Sequence, residues 1–266
     1  MPELPEVETI KRELENAVVG KKIRKVCVYN AKVLRGVSAS AFMRSLRGAA
    51  IKKVLRRAKV LILELSSGKC LVLHLKMTGQ LIYPGSGVKS RISFYFSDGT
   101  ALDFNDQRLF GEARLLDDWR SFKFIRGLGP EPLDLTRTEF SRMLDAKKTK
   151  IKPLLLDQGF ISGIGNLYAA ESLFRAGISP LRQAQSLSEK ERATLLRALT
   201  TVLKEAIRYK GSSVDEYVQL SGTPGGYAAH HKVYGRQGKP CLICGSPIQR
   251  IALGGRGTYF CPHCQK

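Results

Sequence analysis

The sequence predicts an α+β protein of more than one domain, with a helix-decorated β-sandwich followed by a helical C-terminal part. Between Lys22 and Asp118 the apolar segments alternate or are rich in β-branched residues and leucine, as strands are. A barrel is the alternative to the sandwich. After 127–134, which holds two prolines and two glycines, apolar residues recur at helical spacing. Four cysteines in two close pairs stand near the C-terminus.

The N-terminal segment predicts an amphipathic helix from Pro5 to about Val19. Proline suits the first helical turn, and Gly20 ends the pattern. The helix accounts for neither Pro2 nor Glu3, which precede it. Removal of Met1 would make Pro2 the N-terminal residue, with a free secondary amine. The apolar face of this helix contains Val7, Ile10, Leu14 and Val18.

Three segments, 59–66, 69–77 and 91–104, predict strands, and Asp98-Gly99 predicts a hairpin turn within the last of them. Helices are predicted over 138–146, 150–158 and 166–176. A capping box of Ser188 and Glu191 opens a longer helix to about Tyr209, and Ser213 with Glu216 predicts one more. The resulting division is 1–126 for the sandwich, 127–134 for a linker, 135–235 for the helical domain and 236–266 for the C-terminal hairpin.

The chain is strongly basic: 44 Lys and Arg against 23 Asp and Glu give a formal charge of +21. Such an excess indicates a polyanionic partner, and charge alone does not separate nucleic acid from ribosome or membrane surface. No apolar run reaches the roughly 20 residues that span a bilayer, and the acidic N-terminus does not resemble a signal peptide. We therefore expect a cytoplasmic protein.

Cys241, Cys244, Cys261 and Cys264 form two C-x-x-C knuckles, the spacing of a structural zinc site. Disulfides are the alternative, but nothing in the sequence indicates secretion. One structural Zn²⁺ per chain is expected. The two remaining cysteines, Cys27 and Cys70, lie in apolar strand-like stretches and are expected to be buried thiols.

The glycine-rich turn Gly163-Ile164-Gly165 precedes Asn166, which the pattern places as a helix N-cap. A plain helical hairpin explains the glycines. A helix N-terminus in so basic a chain also suits a DNA phosphate, and Lys152 could join it.

Seven colinear motifs resemble bacterial formamidopyrimidine-DNA glycosylases, which remove oxidised purines such as 8-oxoguanine and nick the strand. The resemblance implies a helix–two-turn–helix in the helical domain, a zinc-ribbon hairpin, a monomer, and duplex DNA with an oxidised purine or abasic site as partner. The motifs are PELPEVET (2–9), RRAKVLILEL (56–65), HLKMTG (74–79), DQRLFG (106–111), SGIGNLYAAE (162–171), VYGRQGKPC (233–241) and GRGTYFCPHCQ (255–265).

By this resemblance, the Pro2 amine attacks C1′ of the damaged nucleotide, expels the base and forms an iminium, after which β- and δ-elimination cut the strand. Glu3 resembles the general acid/base, Glu6 a supporting residue, and Lys59 a lysine that contacts the lesion or its phosphate. An ordinary strand-end lysine is the alternative for Lys59. Because Glu3 and Glu6 would raise the amine's pKa if both were free and ionised, we expect one carboxyl to be protonated or engaged elsewhere.

The resemblance also implies DNA contacts. Met77, Arg108 and Phe110 match residues that fill the gap left by a flipped nucleotide; residue type alone favours the core for Met77 and Phe110. The remaining matches, to DNA-binding positions, are His74, Lys152, Asn166 and Arg256.

Two segments depart from the family pattern. Val88 to Arg91 replaces a histidine-rich turn, and phosphate contact by Lys89 or Arg91 could substitute for it. The segment 221–231 occupies the place of the loop that closes over the flipped base, and its pair His230-His231 matches no family pattern.

Two other functions compete. An endonuclease VIII-type enzyme uses the same amine on oxidised pyrimidines; Leu4 after Glu3 and Met77 within HLKMTG favour the purine enzyme. A zinc-ribbon DNA-binding protein without catalysis would explain the charge and the cysteines, but not the N-terminal residues.

Overall fold

The computed structural model describes residues 1–88, 90–214 and 216–266, which form two compact units. The first unit comprises Met1–Arg126 together with Tyr209–Ala228, and the second comprises Gly127–Arg208 together with Ala229–Lys266. The segment Tyr209–Ala228 thus returns to the first unit after the helices, a feature that the sequence-based division did not include. Lys89, expected to bind DNA, lies outside the described residues.

The first unit contains two four-stranded antiparallel sheets, in the orders β1-β6-β7-β5 and β2-β3-β4-β8. The β6–β7 hairpin turns at Asp98-Gly99, as predicted. The strands are β1 (Ile23–Val28), β2 (Ile51–Arg57), β3 (Val60–Leu65), β4 (Cys70–His74), β5 (Gly79–Ile82), β6 (Ser90–Phe96), β7 (Ala101–Asp106) and β8 (Glu112–Leu116).

The two sheets share one apolar core, so the predicted sandwich is confirmed. Leu61 and Leu63 of β3 face this core together with Phe94 and Phe104 of the opposite sheet. The alternate residues of β3 pack into a smaller cluster with Ile125 on the outer face. Burial on both faces explains why β3 reads as a continuous apolar run.

Helices α1 (Leu4–Val18) and α2 (Ala39–Leu46) pack against the sandwich. The predicted apolar face of α1 is fully buried in the common core. Phe42 of α2 meets Phe94 edge to face, with ring centroids 6.3 Å apart. A short α3 (Lys123–Arg126) ends the first part of this unit.

The second unit contains the predicted helices, named α4 (Arg137–Asp145), α5 (Ile151–Leu156), α6 (Asn166–Ala176) and α7 (Glu189–Arg208). Ser188 and Glu191 form the predicted capping box. The N-cap prediction for Asn166 is wrong: Gly165 caps α6, because the Asn166 side chain is engaged away from its own helix.

The helix predicted from Ser213 is also wrong, since the described residues of 212–226 form no helix. The Ser213 hydroxyl instead donates to the Tyr217 carbonyl and accepts from the Gly225 N–H. A serine that bonds local backbone in this way competes with helix formation. Among the described residues, no helix combines the length and hydropathy needed to cross a bilayer.

Strands β9 (Gln249–Leu253) and β10 (Arg256–Phe260) form a C-terminal hairpin. Gly254 and Gly255 make its turn, both with positive φ, which glycine adopts without steric cost. The hairpin packs on α6 through a small core that contains Phe174, Ile248 and Cys261.

Candidate active site and nucleic-acid interface

The start of α1 is held by a capping box in which the side chains of Glu3 and Glu6 each accept the other's backbone N–H. The Glu3 backbone N–H donates to Glu6 Oε2 at 2.8 Å, the contact that closes a capping box. The Ser212 backbone N–H donates to Glu6 Oε1 at 2.9 Å. Pro2, Glu3 and Glu6 are all buried. Glu6 is therefore an engaged carboxylate, and Glu3 is the acid directly next to Pro2, with its side chain accepting the Glu6 backbone N–H.

Lys59 lies in the tight turn between β2 and β3, next to α1. Ala58 in this turn has φ of +50°, and Lys59 itself is buried. Arg56 fixes the turn: its Nε donates to Glu8 of α1 at 2.8 Å and its guanidinium to the Ala58 carbonyl at 3.0 Å. Burial would raise the pKa of Glu8, but hydrogen bonds from Arg56 and Arg12 outweigh it and lower that pKa. An ionised Glu8 thus ties the turn that carries Lys59 to α1.

Met77, Arg108 and Phe110 form one surface cluster, on the β4–β5 and β7–β8 loops. Met77 is 39% exposed and Phe110 47%, so the core alternative is wrong for both. The Arg108 guanidinium lies 4.7 Å from the centre of the Phe110 ring and 3.7 Å from the Met77 sulfur. The structure thus brings together an apolar chain, a ring and a cation that are exposed.

His74 and Arg91, two further candidates, are held by the first unit. His74 Nδ1 accepts the Lys76 backbone N–H at 3.0 Å. Burial and the neighbouring Lys76 charge lower the pKa of His74 to about 3, so it is neutral at pH 7. With Nδ1 as acceptor, the proton is on Nε2. Arg91 Nε donates to the Asp106 carbonyl at 2.8 Å.

Lys152 and Asn166 connect the helices of the second unit to its hairpin. Lys152 is fully buried, and its ammonium donates to Asn166 Oδ1 at 2.7 Å and to Thr258 Oγ1 at 2.8 Å. The Asn166 amide donates to the Gly257 carbonyl at 3.1 Å. This network fixes β10 directly beside Arg256, which is exposed at the tip of the hairpin.

The four C-terminal cysteines converge. Their sulfurs all lie within 4.8 Å of one another. The separation is 3.9 Å for Cys241 and Cys264 and 3.5 Å for Cys244 and Cys261. Tetrahedral Zn²⁺ with Zn–S bonds of about 2.3 Å places sulfurs about 3.8 Å apart, so the four thiolates fit a structural zinc ion. Of the other two, Cys70 is buried and Cys27 only half-buried.

The segment Tyr209–Ala228, which includes most of the expected base-covering loop, is anchored on the first unit. The Leu220 carbonyl accepts the Tyr83 N–H at 2.8 Å, and the Leu220 N–H donates to Glu13 of α1 at 2.9 Å. Glu6 and Glu13, two turns apart on α1, therefore both hold this segment. His231 belongs to the second unit, where burial lowers its pKa to about 4.

Sequence reasoning missed the residues that hold others in place. Glu8 and Arg56 lie within family motifs that did not indicate this role, and Glu13 lies outside the motifs. Glu171, also missed, is buried and accepts the backbone N–H groups of residues 232–234, where the chain approaches the hairpin. A charged residue within an apolar helical pattern, as Glu171 is in α6, was the available signal.

These features define the class: a basic two-unit protein with a buried proline and glutamate at positions 2 and 3, an exposed cation–aromatic cluster, and a four-cysteine hairpin. Three family descriptions match: "Formamidopyrimidine-DNA glycosylase N-terminal domain" over residues 1–113, "Formamidopyrimidine-DNA glycosylase H2TH domain" over 128–218, and "Zinc finger found in FPG and IleRS" over 238–266.

Known glycosylases are similar to this chain in sequence and structure over 99% or more of its length. A formamidopyrimidine-DNA glycosylase of Pelotomaculum thermopropionicum is 43% identical over 274 residues, covering 100% of this chain and 99% of the relative. A Lactococcus lactis enzyme variant in complex with Fapy-dG DNA has a TM-score of 0.92 at 33% identity, with both chains covered completely. The Lactococcus lactis enzyme with abasic-site DNA has a TM-score of 0.91 at 32% identity, with 99% of both chains covered. The chain belongs to the formamidopyrimidine-DNA glycosylase family, and the resemblance found in the sequence is confirmed.

The sulfur geometry predicts one equivalent of zinc, lost when a ligand is removed. Cys261→Ser should reduce bound zinc from about one equivalent to near zero, because serine is a poor zinc ligand. Cys70→Ser is the matched control and should retain the metal. Metal analysis of the two purified variants makes the comparison, and full zinc content in Cys261→Ser would contradict the assignment.

Proposed function

We propose that this protein is a bifunctional DNA glycosylase and AP lyase of base excision repair that removes 8-oxoguanine and formamidopyrimidines from duplex DNA. The observation that carries the proposal is the start of α1, where Pro2 and Glu3 are buried and fixed through Glu6. Relatives bound to Fapy-dG and abasic-site DNA support the substrate class.

Pro2, with Met1 removed, is the nucleophile. Its secondary amine forms a bond to C1′ as the bond from C1′ to the base breaks, and the base leaves with a proton. The C1′–O4′ bond then breaks, O4′ gains a proton, and the opened sugar is held as a cationic iminium. The iminium acidifies the C2′ proton; loss of that proton breaks the C3′–O bond, and a second elimination breaks the C5′–O bond. Glu3, which is buried directly beside Pro2, supplies and accepts the protons. Lys59 holds the lesion or its phosphate from the β2–β3 turn.

The exposed cluster of Met77, Arg108 and Phe110 fills the gap that the flipped nucleotide leaves. Flipping costs a few kcal/mol, and side chains that stack in the gap offset this cost. An exposed ring stacked under a guanidinium suits this role better than a structural one.

Phosphates are bound by both units. On the first unit we assign His74, through its Nε2–H, with Lys89 and Arg91; on the second, Asn166 and Arg256. Lys152 acts through Asn166 and the hairpin, because its ammonium is held by protein oxygens. Zn²⁺ fixes the hairpin that presents Arg256. We also propose that the enzyme is a cytoplasmic monomer. Its division along the sequence is 1–126, 127–134, 135–235 and 236–266, with Tyr209–Ala228 of the third segment joining the first unit.

Blocking the N-terminal amine should abolish covalent chemistry while binding persists. A variant that retains an extra residue before Pro2 should bind 8-oxoguanine duplex within about threefold of the mature protein, because its phosphate contacts are unchanged. It should form no borohydride-stable adduct, since its secondary amine has become an amide. Trapping on a gel, with the mature protein as control, gives the answer. An extended protein that traps as efficiently as the mature one would assign the nucleophile to a lysine, with Lys59 the first to test.

Glu3→Gln should separate base loss from strand cleavage. Excision of 8-oxoguanine should fall about 10²-fold or more, because the departing base then lacks its proton donor. Cleavage at a preformed abasic site should fall much less, since no base has to leave. Single-turnover rates on the two substrates make the test, and equal losses on both would remove Glu3 from the role of acid.

A further inference from the structure

Asp106 joins the two loops that carry the gap-filling cluster. It is the last residue of β7 and pairs with Gly79, the first residue of β5, so it lies between the β4–β5 and β7–β8 loops. The side chain is 1% exposed and does not belong to the surface cluster itself. No motif argument assigned it a role.

Each carboxylate oxygen of Asp106 holds a loop residue. Oδ1 accepts the Thr78 hydroxyl at 2.5 Å and the Arg108 N–H at 3.2 Å. Oδ2 accepts the Gly111 N–H at 2.5 Å. The Arg108 N–H also reaches Thr78 Oγ1 at 3.2 Å, so the two loops are bonded to each other as well as to Asp106.

Both loops contain a non-glycine residue in the left-handed region, directly next to a cluster residue. Lys76, before Met77, has φ of +52°, and Leu109, between Arg108 and Phe110, has φ of +56°. Such conformations cost free energy and persist only where the surroundings impose them. The hydrogen bonds that Asp106 accepts from Thr78, Arg108 and Gly111 lie within two residues of both positions, and the Lys76 N–H is also held by His74 Nδ1.

The packing at Gly111 leaves little freedom. A Cβ at this position would lie 2.9 Å from Asp106 Oδ2 and 2.7 Å from the Phe104 ring. The close approach of the Gly111 backbone to the carboxylate thus requires glycine. Gly111, at the end of the β7–β8 loop, therefore packs directly against the Asp106 carboxylate.

We propose that Asp106 is a positioning residue that locks Met77, Arg108 and Phe110 into a single preformed wedge. The inference rests on the proposed function of that cluster. A preformed wedge enters the gap without first ordering two loops, so the cost of conformational entropy is not added to the cost of flipping.

The test compares two substrates. Asp106→Asn replaces one acceptor oxygen with a donor that faces an N–H or O–H group. Single-turnover excision of 8-oxoguanine from duplex should fall about tenfold, or about 1.4 kcal/mol. Cleavage at a preformed abasic site, whose unpaired sugar is easier to extrude, should fall less than about threefold.

Thr78 offers a second variant that leaves the carboxylate in place. Thr78→Val removes only the hydroxyl that donates to Asp106 and should lower the ratio of lesion to abasic-site rates in the same direction. Thr78→Ser restores the donor and should restore the ratio. This pair keeps the proposal testable if Asp106→Asn does not fold.

Asp103 is the matched control. It lies on the same strand, is equally buried, and accepts a hydroxyl from Ser93 and a backbone N–H from Gly87, neither of which belongs to the two loops. Asp103→Asn should lower thermal stability as Asp106→Asn does, with the ratio of rates unchanged.

If Asp106→Asn and Thr78→Val lower the rates on both substrates equally, so that the ratio of lesion to abasic-site rates is unchanged, the inference is overturned. A lowered ratio in Asp103→Asn would also overturn it, because it would make the effect a general one of stability. Failure of the proposed function is distinct, since the parent protein would then release no base from the lesion duplex.

Discussion

The Glu6 carboxylate is the contact on which the N-terminal site depends. It accepts one backbone N–H from Glu3 and one from Ser212, more than two hundred residues further along the chain. A buried carboxylate is costly unless it is hydrogen-bonded, and charge-assisted bonds at 2.8 and 2.9 Å offset that cost. Through this one side chain, the start of α1 and the returning segment Tyr209–Ala228 share an anchor. Glu3, the acid beside Pro2, completes the capping box, since its side chain accepts the Glu6 backbone N–H.

Much of the fold could be predicted because local periodicity reports burial. The face of α1, the doubly buried β3 and the capping box of Ser188 each leave a pattern within a few residues. The return of Tyr209–Ala228 to the first unit leaves none, since it depends on pairing between Tyr83 and Leu220, which are distant in sequence. Asn166 was misplaced as an N-cap for a related reason: Lys152 and Gly257 compete for its side chain.

The residues of the candidate site likewise include some that the sequence alone predicts and others that it does not. The cysteine knuckles were readable because their spacing is itself the geometry of the site. Met77 and Phe110 were not readable from residue type, which favours the core, and only the resemblance placed them on the surface. Lys152 was expected at a phosphate, whereas the structure buries it within the network behind Arg256. Residues that act by positioning others, such as Arg56 and Glu171, lie within family motifs, but the motifs do not reveal this role because it depends on partners that are distant in sequence.

The central claim, that Glu6 positions the reactive N-terminus, is tested most directly by the rate of borohydride trapping in Glu6→Gln. An amide in place of the carboxylate leaves one of the two backbone N–H groups facing another donor. With mature protein and 8-oxoguanine duplex at saturation, adduct formation should slow about tenfold or more, while affinity for the duplex stays within about threefold. Glu15→Gln is the matched control: Glu15 lies on the same helix, and its carboxylate pairs with Lys11, one turn earlier, so this variant should trap at the parent rate. Parent-like trapping by Glu6→Gln would contradict the account.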